Sequence, residues 1–301
     1  MSTHLTPPGA LALERTRVAD YLALTKPELT FLSVLTSLAG YMLGSAGTPH
    51  AAGALALALG TAMVGGGSGA LNQAMERKFD ALMKRTEQRP LPSGRIGLAE
   101  AVIFGILLVA GGLLLLATRL NAVTASLAAV TCATYLLLYT PLKRLTPMAT
   151  LIGAFPGAIP PVMGWTAAAG VPGAGAFVLF GILFLWQMPH FLSLAWIYRN
   201  DYAKGGYRLL AVTDADGKKT GVQSLSYAVA LVPVSLLLAA LGEAGPVYAL
   251  SALVLGGVFA GCAAMLLVQR TGPAARRLFI ASLVYLPLLM IAMAVDRFLG
   301  S

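Results

Sequence analysis

"NQAMERKFDALMKRTEQRPLPSGRI", residues 72–96, gathers six of the chain's 21 Lys and Arg residues and three of its 12 acids into 25 positions. On either side the chain is almost wholly apolar, through 51–71 before it and 98–118 after it. That contrast decides the fold class, because an α-helix needs about 20 apolar residues to cross the hydrocarbon core of a bilayer.

The same rhythm recurs throughout the 301 residues, of which 57% are hydrophobic and 11% charged, against roughly 25% charged in soluble domains. Nine stretches qualify as spans: 28–48, 51–74, 98–118, 121–140, 147–169, 174–198, 222–242, 246–269 and 275–299. Lipid offers a bare backbone no hydrogen-bond partner, and the sequence has no alternating strand pattern, so the spans read as helices. The expectation is an all-α polytopic membrane protein with nine transmembrane helices in one domain, 28–299, after an N-terminal segment 1–27.

Lys and Arg favour cytoplasmic loops, which orients the chain. With the N-terminus inside, 19 of the 21 fall on the cytoplasmic side and only Arg119 and Arg297 lie on the outer side, where the C-terminus also falls. The net charge of +9 follows from this bias and implies no nucleic acid. Segment 1–27 carries Pro7, Pro8 and five charged side chains before any apolar run, unlike a cleaved secretory signal. Cys132 and Cys262 each fall inside a span without a nearby second cysteine, so they read as small packing residues, with neither disulfide nor structural zinc expected.

"GGGSGA", 65–70, reads as a close-packing surface, because small residues let helix backbones approach in lipid. It lacks the Lys-Ser/Thr ending of a phosphate loop, and "GKKT", 217–220, lacks the required Gly five residues earlier, where Val212 stands.

Two cytoplasmic loops, 75–97 and 199–221, carry the chemistry. In the first, Asn72, Glu76 and Asp80 recur every four residues, one stripe on a helix continuing out of the second span. Such oxygen ligands could hold Mg²⁺, which takes one or two carboxylates plus substrate phosphates; the alternative is a solvated helix end with pairs such as Asp80 and Lys84. Arg85, Arg89 and Arg95 follow, with "RPLPSG" ending the helix, and guanidinium forks beside a metal favour a diphosphate site.

The second loop region is "WQMPHFLSLAWIYRNDYAKGGYRLL", 186–210. His190 lies inside a span, a costly place for an ionisable group and a functional candidate. Gln187 is one turn earlier on the same face. Asp201 is eleven residues later and could share that face roughly 16 Å away. The alternatives are a His190 bonded to a neighbouring helix carbonyl and an Asp201 paired with Arg199 or Lys204. "YTPLKRLTP", 139–147, brings Lys143 and Arg144 to the same membrane face, to meet lipid headgroups or the diphosphate.

These segments carry a resemblance. From Lys26 to about residue 296 the chain resembles the UbiA family of intramembrane prenyltransferases, through residues 72–94, "YTPLKRLTPMATLIGAFPGAIPPVMGW" (139–165) and "LWQMPHFLSLAWIYRNDY" (185–202). "YTPLKRLTP" and "WQMPHF" narrow it to the branch that farnesylates protohaem IX. The resemblance implies a prenyl diphosphate held through Mg²⁺ by the two loop motifs, ionised, and passed to an acceptor in the bundle. For this branch the donor is farnesyl diphosphate and the acceptor the 2-vinyl group of haem B, with water completing haem O.

Carried onto this chain, the resemblance makes Asn72, Glu76, Asp80 and Asp201 the metal ligands, with Asp80 foremost and Tyr202 orienting Asp201. Arg85, Arg89, Lys143 and Arg144 steady the diphosphate; Asp80, Asp201 and Lys143 are the catalytic set. Gln187 and His190 face the acceptor, the imidazole ligating iron or touching a propionate. The chain departs from the pattern at Glu76, where Asp is commoner, at Gly205, four residues after Asp201 where a second acid is usual, and at "GYRLLAV" where "GxPMLPV" is usual. A bacterial plasma membrane is the expected location, a mitochondrial inner membrane the alternative, with haem A synthase or oxidase assembly factors as protein partners. The rival functions are the same chemistry on an aromatic acid or chlorophyll-like ring, and a transporter, which would show repeated halves and mid-membrane charge.

Overall fold

The computed structural model describes residues 16–299, and every regular element among them is helical. Residues 1–15, most of the expected N-terminal cytoplasmic segment, lie outside the described residues. The elements are α1 (Arg17–Leu24), α2 (Pro27–Gly44), α3 (Ala51–Asp80), α4 (Leu98–Arg119), α5 (Ala122–Ala133), a π-helical stretch Thr134–Tyr139 continuing into α6 (Thr140–Leu142), α7 (Ala149–Ala158), α8 (Pro160–Ala169), α9 (Ala174–Ile197), α10 (Arg199–Lys204), α11 (Leu210–Thr213), α12 (Lys218–Ala240), α13 (Pro246–Gln269) and α14 (Gly272–Leu299).

Among the described residues seven helices are long and apolar enough to cross a membrane: α3, α4, the unit Ala122–Leu142, α9, α12, α13 and α14. The stretches expected to be spans at 28–48 and 147–169 hold α2, of 18 residues, and the ten-residue pair α7 and α8. The break between that pair falls at Ile159, where Pro160 and Pro161 follow and remove two backbone donors.

Two large apolar cores form beside a smaller one around Leu24, Ala70, Leu91, Ile96 and Ala101. One joins α9, α12, α13 and α14 around Leu231, Tyr248, Phe259 and Tyr285; the other joins α2, α3, α5 and α8 around Tyr41, Leu57, Ala128 and Met163. In the first core the hydroxyls pair, as lipid favours: the Ser235 and Tyr285 hydroxyls meet at 2.9 Å, and the Tyr248 hydroxyl donates to the Ser235 carbonyl at 3.0 Å. At the far end of α14, Asp296 caps α13 by accepting from the Tyr248 amide at 2.6 Å, and Arg297 donates to the Ser45 carbonyl at 2.6 Å.

The expected small-residue packing is present. A β-carbon on Gly67 would stand 2.6 Å from the Gly105 carbonyl oxygen, so α3 and α4 touch backbone to backbone. Contact between α2 and α8 is closer still: a β-carbon on Gly40 would overlap the Pro161 carbonyl. Gly40→Leu therefore forces the two helices apart, and the expected outcome is loss of the monodisperse detergent-solubilised protein on size exclusion. An unchanged elution peak would mean that α2 and α8 can separate without unfolding the bundle.

Candidate active site

The acid stripe forms as expected. Helix α3 runs unbroken to Asp80, and Asn72, Glu76 and Asp80 are all buried on its inward face. The helix stops there, nine residues before "RPLPSG", because the Asp80 carbonyl is taken by the Thr86 hydroxyl at 2.8 Å and the chain winds through turns to Gly97. Met83, Leu91 and Ile96 are buried in those turns. Arg95 is not part of the cluster: its Nε donates to Asp20 on α1 at 2.9 and 3.1 Å, so it staples the loop to the N-terminal helix.

Each carboxylate of the stripe meets a cation. Asp80 accepts from Arg89 at 2.8 Å rather than from Lys84. Glu76 Oε1 lies 2.7 Å from Lys143 Nζ, a buried ion pair. Asn72 donates to the Thr140 hydroxyl at 2.9 Å and accepts from Lys26.

The other two loops close over this stripe. Thr140 Oγ1 donates five residues back to the Tyr135 carbonyl at 2.8 Å, within the π-helical stretch. Wider turns of this kind shift side chains around the helix and recur at functional sites. Here the shift sets Tyr135 3.3 Å from Lys26 Nζ and Tyr139 beneath Lys143, with 4.6 Å from ammonium to ring centroid. From the second loop the Arg208 amide donates to the Lys143 carbonyl at 2.9 Å, and Tyr207 brings its ring 5.8 Å from Lys143 Nζ. Arg85 donates to the Tyr202 hydroxyl at 2.9 Å and lies over the Tyr198 and Tyr202 rings. Arg144 covers Phe79 at 3.7 Å.

Electrostatics follow from this enclosure. Burial pulls the Lys143 ammonium down, but Glu76 with Tyr139 and Tyr135 outweighs it and holds the group protonated well above the ordinary lysine range. Lys26 goes the other way. Burial first, then Arg89, push it down to about 7, with Glu76 opposing. Burial and the Glu76 charge raise the Tyr207 phenol.

Some expected residues stand apart. The helix carrying His190 ends at Ile197, with Tyr198 off helical geometry (φ −105°, ψ 21°), so Asp201 begins a new short helix, α10, and does not share a continuous face with His190. Asp201 is half-buried and pairs with neither Arg199 nor Lys204; its neighbour Tyr202 is the residue joined to the first loop. Gln187 donates to the Ala154 carbonyl on α7 at 2.6 Å, whereas His190 meets Ser282 on α14 at 2.7 Å between the Trp186 and Phe279 rings. The two therefore contact different neighbours, although they are one turn apart. Sequence reading also passed over Lys26, Tyr135, Thr140 and Tyr207. The available signals were a lysine before Pro27 at the mouth of a span and the Tyr-Thr opening of the central motif.

The fold and site together define an intramembrane bundle with a buried, cation-rich cluster where three loops meet. Residues 33–287 match the UbiA prenyltransferase family. The chain is 43% identical over 300 residues to a protein named protoheme IX farnesyltransferase from Koribacter versatilis, covering 96% of each, and 47% identical over 280 residues to one of the same name from Salinibacter ruber, covering 93% of this chain and 99% of the relative. Among solved structures it is similar to a digeranylgeranylglyceryl phosphate synthase (TM-score 0.78, 20% identity, 93% and 98% covered) and to a UbiA homologue from Archaeoglobus fulgidus bound to DMAPP and Mg²⁺ (TM-score 0.65, 15% identity, 92% and 99% covered). The chain belongs to the UbiA prenyltransferase family. It is thus an enzyme, and the transporter reading is set aside.

Proposed function

We propose that this enzyme transfers the farnesyl group of farnesyl diphosphate to the 2-vinyl group of haem B, water addition completing haem O, at the cytoplasmic face of a bacterial plasma membrane. One observation carries the reading of the donor: Lys26, Arg85, Arg89, Lys143 and Arg144 surround only two buried acids, Glu76 and Asp80, where the loops converge. An excess of cations in a partly desolvated site calls for a polyanion. The names of the Koribacter and Salinibacter relatives support the haem acceptor.

Under this proposal residues 28–299 form one catalytic unit, with loops 75–97 and 199–221 cytoplasmic, nine crossings, and the C-terminus on the outer side. Nineteen of 21 cations on one side support that topology.

Mg²⁺ suits the site. Glu76, Asp80 and the Asn72 amide oxygen are hard donors, all three buried on one face of α3. Among the described residues no three His, Cys, Asp or Glu side chains converge, so the substrate's own phosphate oxygens would complete the shell, with Asp201 of α10 as the further candidate ligand. When bound, the ion supplies concentrated positive charge at the diphosphate. The protein's side chains do the rest. As the allylic carbon–oxygen bond breaks, negative charge collects on the leaving diphosphate, and Arg85, Arg89, Lys143 and Arg144 meet it. The Tyr202 hydroxyl and the Tyr198 ring hold Arg85 in place. The apolar bundle receives the farnesyl chain and keeps water from the cation. His190 and Gln187 stand on the acceptor side.

The test is to incubate purified protein with haem B, farnesyl diphosphate and Mg²⁺ and weigh the haem by mass spectrometry. The expected product is haem carrying a hydroxyethylfarnesyl group. Unchanged haem beside a prenylated aromatic acid, when that acid is offered, would transfer the assignment to another acceptor. His190→Ala is expected to weaken haem binding about tenfold or more while leaving diphosphate binding nearly intact. Equal loss of both would make His190 a packing residue tied to Ser282.

A further inference from the structure

We propose that the cleft between the end of α9 and the start of α14 is a second anion site, which takes the carboxylate or phosphate group of an amphiphile lying in the bilayer. The cleft has a volume of about 400 Å³ and is lined by Trp196, Arg199, Asn200, Pro273 and Arg276, among others, with no carboxylate in its wall. Arg199 lies flat over the Trp196 ring at 4.1 Å, and Arg276 has no ion-pair partner among the described residues. On the α11–α12 connection Asp216 is engaged with Arg270 at 3.5 Å and Asp214 with Thr220 at 2.7 Å.

A second observation is independent of the arginines. The indole N–H of Trp196, a side chain 4% exposed, has no hydrogen-bond acceptor. Buried donors without partners are rare in folded proteins. An oxyanion in the cleft would answer both guanidinium groups at once, with charge-assisted bonds, in a wall that also holds the Trp196 indole. The start of α14, a 28-residue helix, adds positive partial charge at the same point.

The seam continues into the membrane. Below the cleft the same two helices bring His190 to Ser282 and stack it between Trp186 and Phe279. A molecule with its acid group at the arginines would lay its apolar part along this aromatic seam. Two sources present that chemistry: the carboxylates of the tetrapyrrole acceptor, an assignment that rests on the proposed function, and the phosphate of an anionic phospholipid, which does not.

The experiment uses the full chain in phosphatidylcholine nanodiscs, as wild type, Arg199→Gln/Arg276→Gln and Trp196→Phe. Haem B is titrated by its Soret band, phosphatidylglycerol retention is read by native mass spectrometry, and farnesyl diphosphate affinity is measured alongside. The double variant is expected to lose about tenfold or more in one of the first two arms, Trp196→Phe a smaller amount in the same arm, and neither in the third. Loss in the haem arm identifies the acceptor's carboxylates, loss in the lipid arm the headgroup, and either upholds the site. Unchanged affinity in both arms, or a loss that includes farnesyl diphosphate equally, overturns it. If wild type makes no farnesylated haem, the proposed function fails while the lipid arm still decides the cleft.

Discussion

Asp80→Asn is expected to abolish measurable product formation while the protein remains folded in the membrane. The substitution keeps the size of the side chain and an oxygen to accept from Arg89, now 2.8 Å away, and it leaves untouched the Asp80 carbonyl that holds Thr86. What it removes is the charge. At 1% exposure, Asp80 has no solvent to make good that loss, and an amide oxygen without the negative charge holds Mg²⁺ more weakly than the carboxylate. Turnover is expected to fall on the order of 100-fold or more. The measurement is farnesylated haem per unit of membrane-bound protein; near-normal turnover would remove Asp80 from the metal site.

Lys143→Met strikes the fold as well as the chemistry. Lys143 and Glu76 are 12% and 7% exposed at 2.7 Å, so removing the ammonium strands a carboxylate inside the bundle. Breaking a buried pair from one side costs about 3–5 kcal/mol, far more than the pair's net worth against an apolar replacement. The expected result is a marked drop in the thermal unfolding midpoint in detergent together with loss of turnover. Glu76→Gln/Lys143→Met is expected to recover most of the stability and none of the activity, since both the oxyanion-steadying cation and a candidate metal ligand are gone. A single variant as stable as wild type would mean that Glu76 finds another cation, for which Lys26 is the nearest in kind.

The legible part of the site lies where spacing and structure coincide. Asn72, Glu76 and Asp80 could be read as one inward stripe because all three lie on one unbroken helix, α3, where a period of four keeps residues on one face. The same reasoning failed for Asp201. Eleven residues from His190 is three turns only if the helix continues, and Tyr198 leaves helical geometry between them. Arg95 failed for another reason: its charge suits a phosphate, but Asp20, 75 residues away in sequence, claims it. A run of arginines does not announce which of them faces a distant acid.

By itself the sequence determined the class of fold, the helix-packing surface at 65–70, and the family, because each of these depends on local composition or on contiguous motifs. Apolar length sets what can cross lipid, and small residues set how closely helices pack. Only the tertiary structure decided which cation meets which acid. Lys143 with Glu76, Arg89 with Asp80, Lys26 with Asn72 and Arg85 with Tyr202 are pairings made at the convergence of three loops, and a π-helical stretch aims two tyrosines into the cluster. The physical reason is that a buried charge takes whichever partner packing brings within reach, and in a bundle that partner comes from another helix.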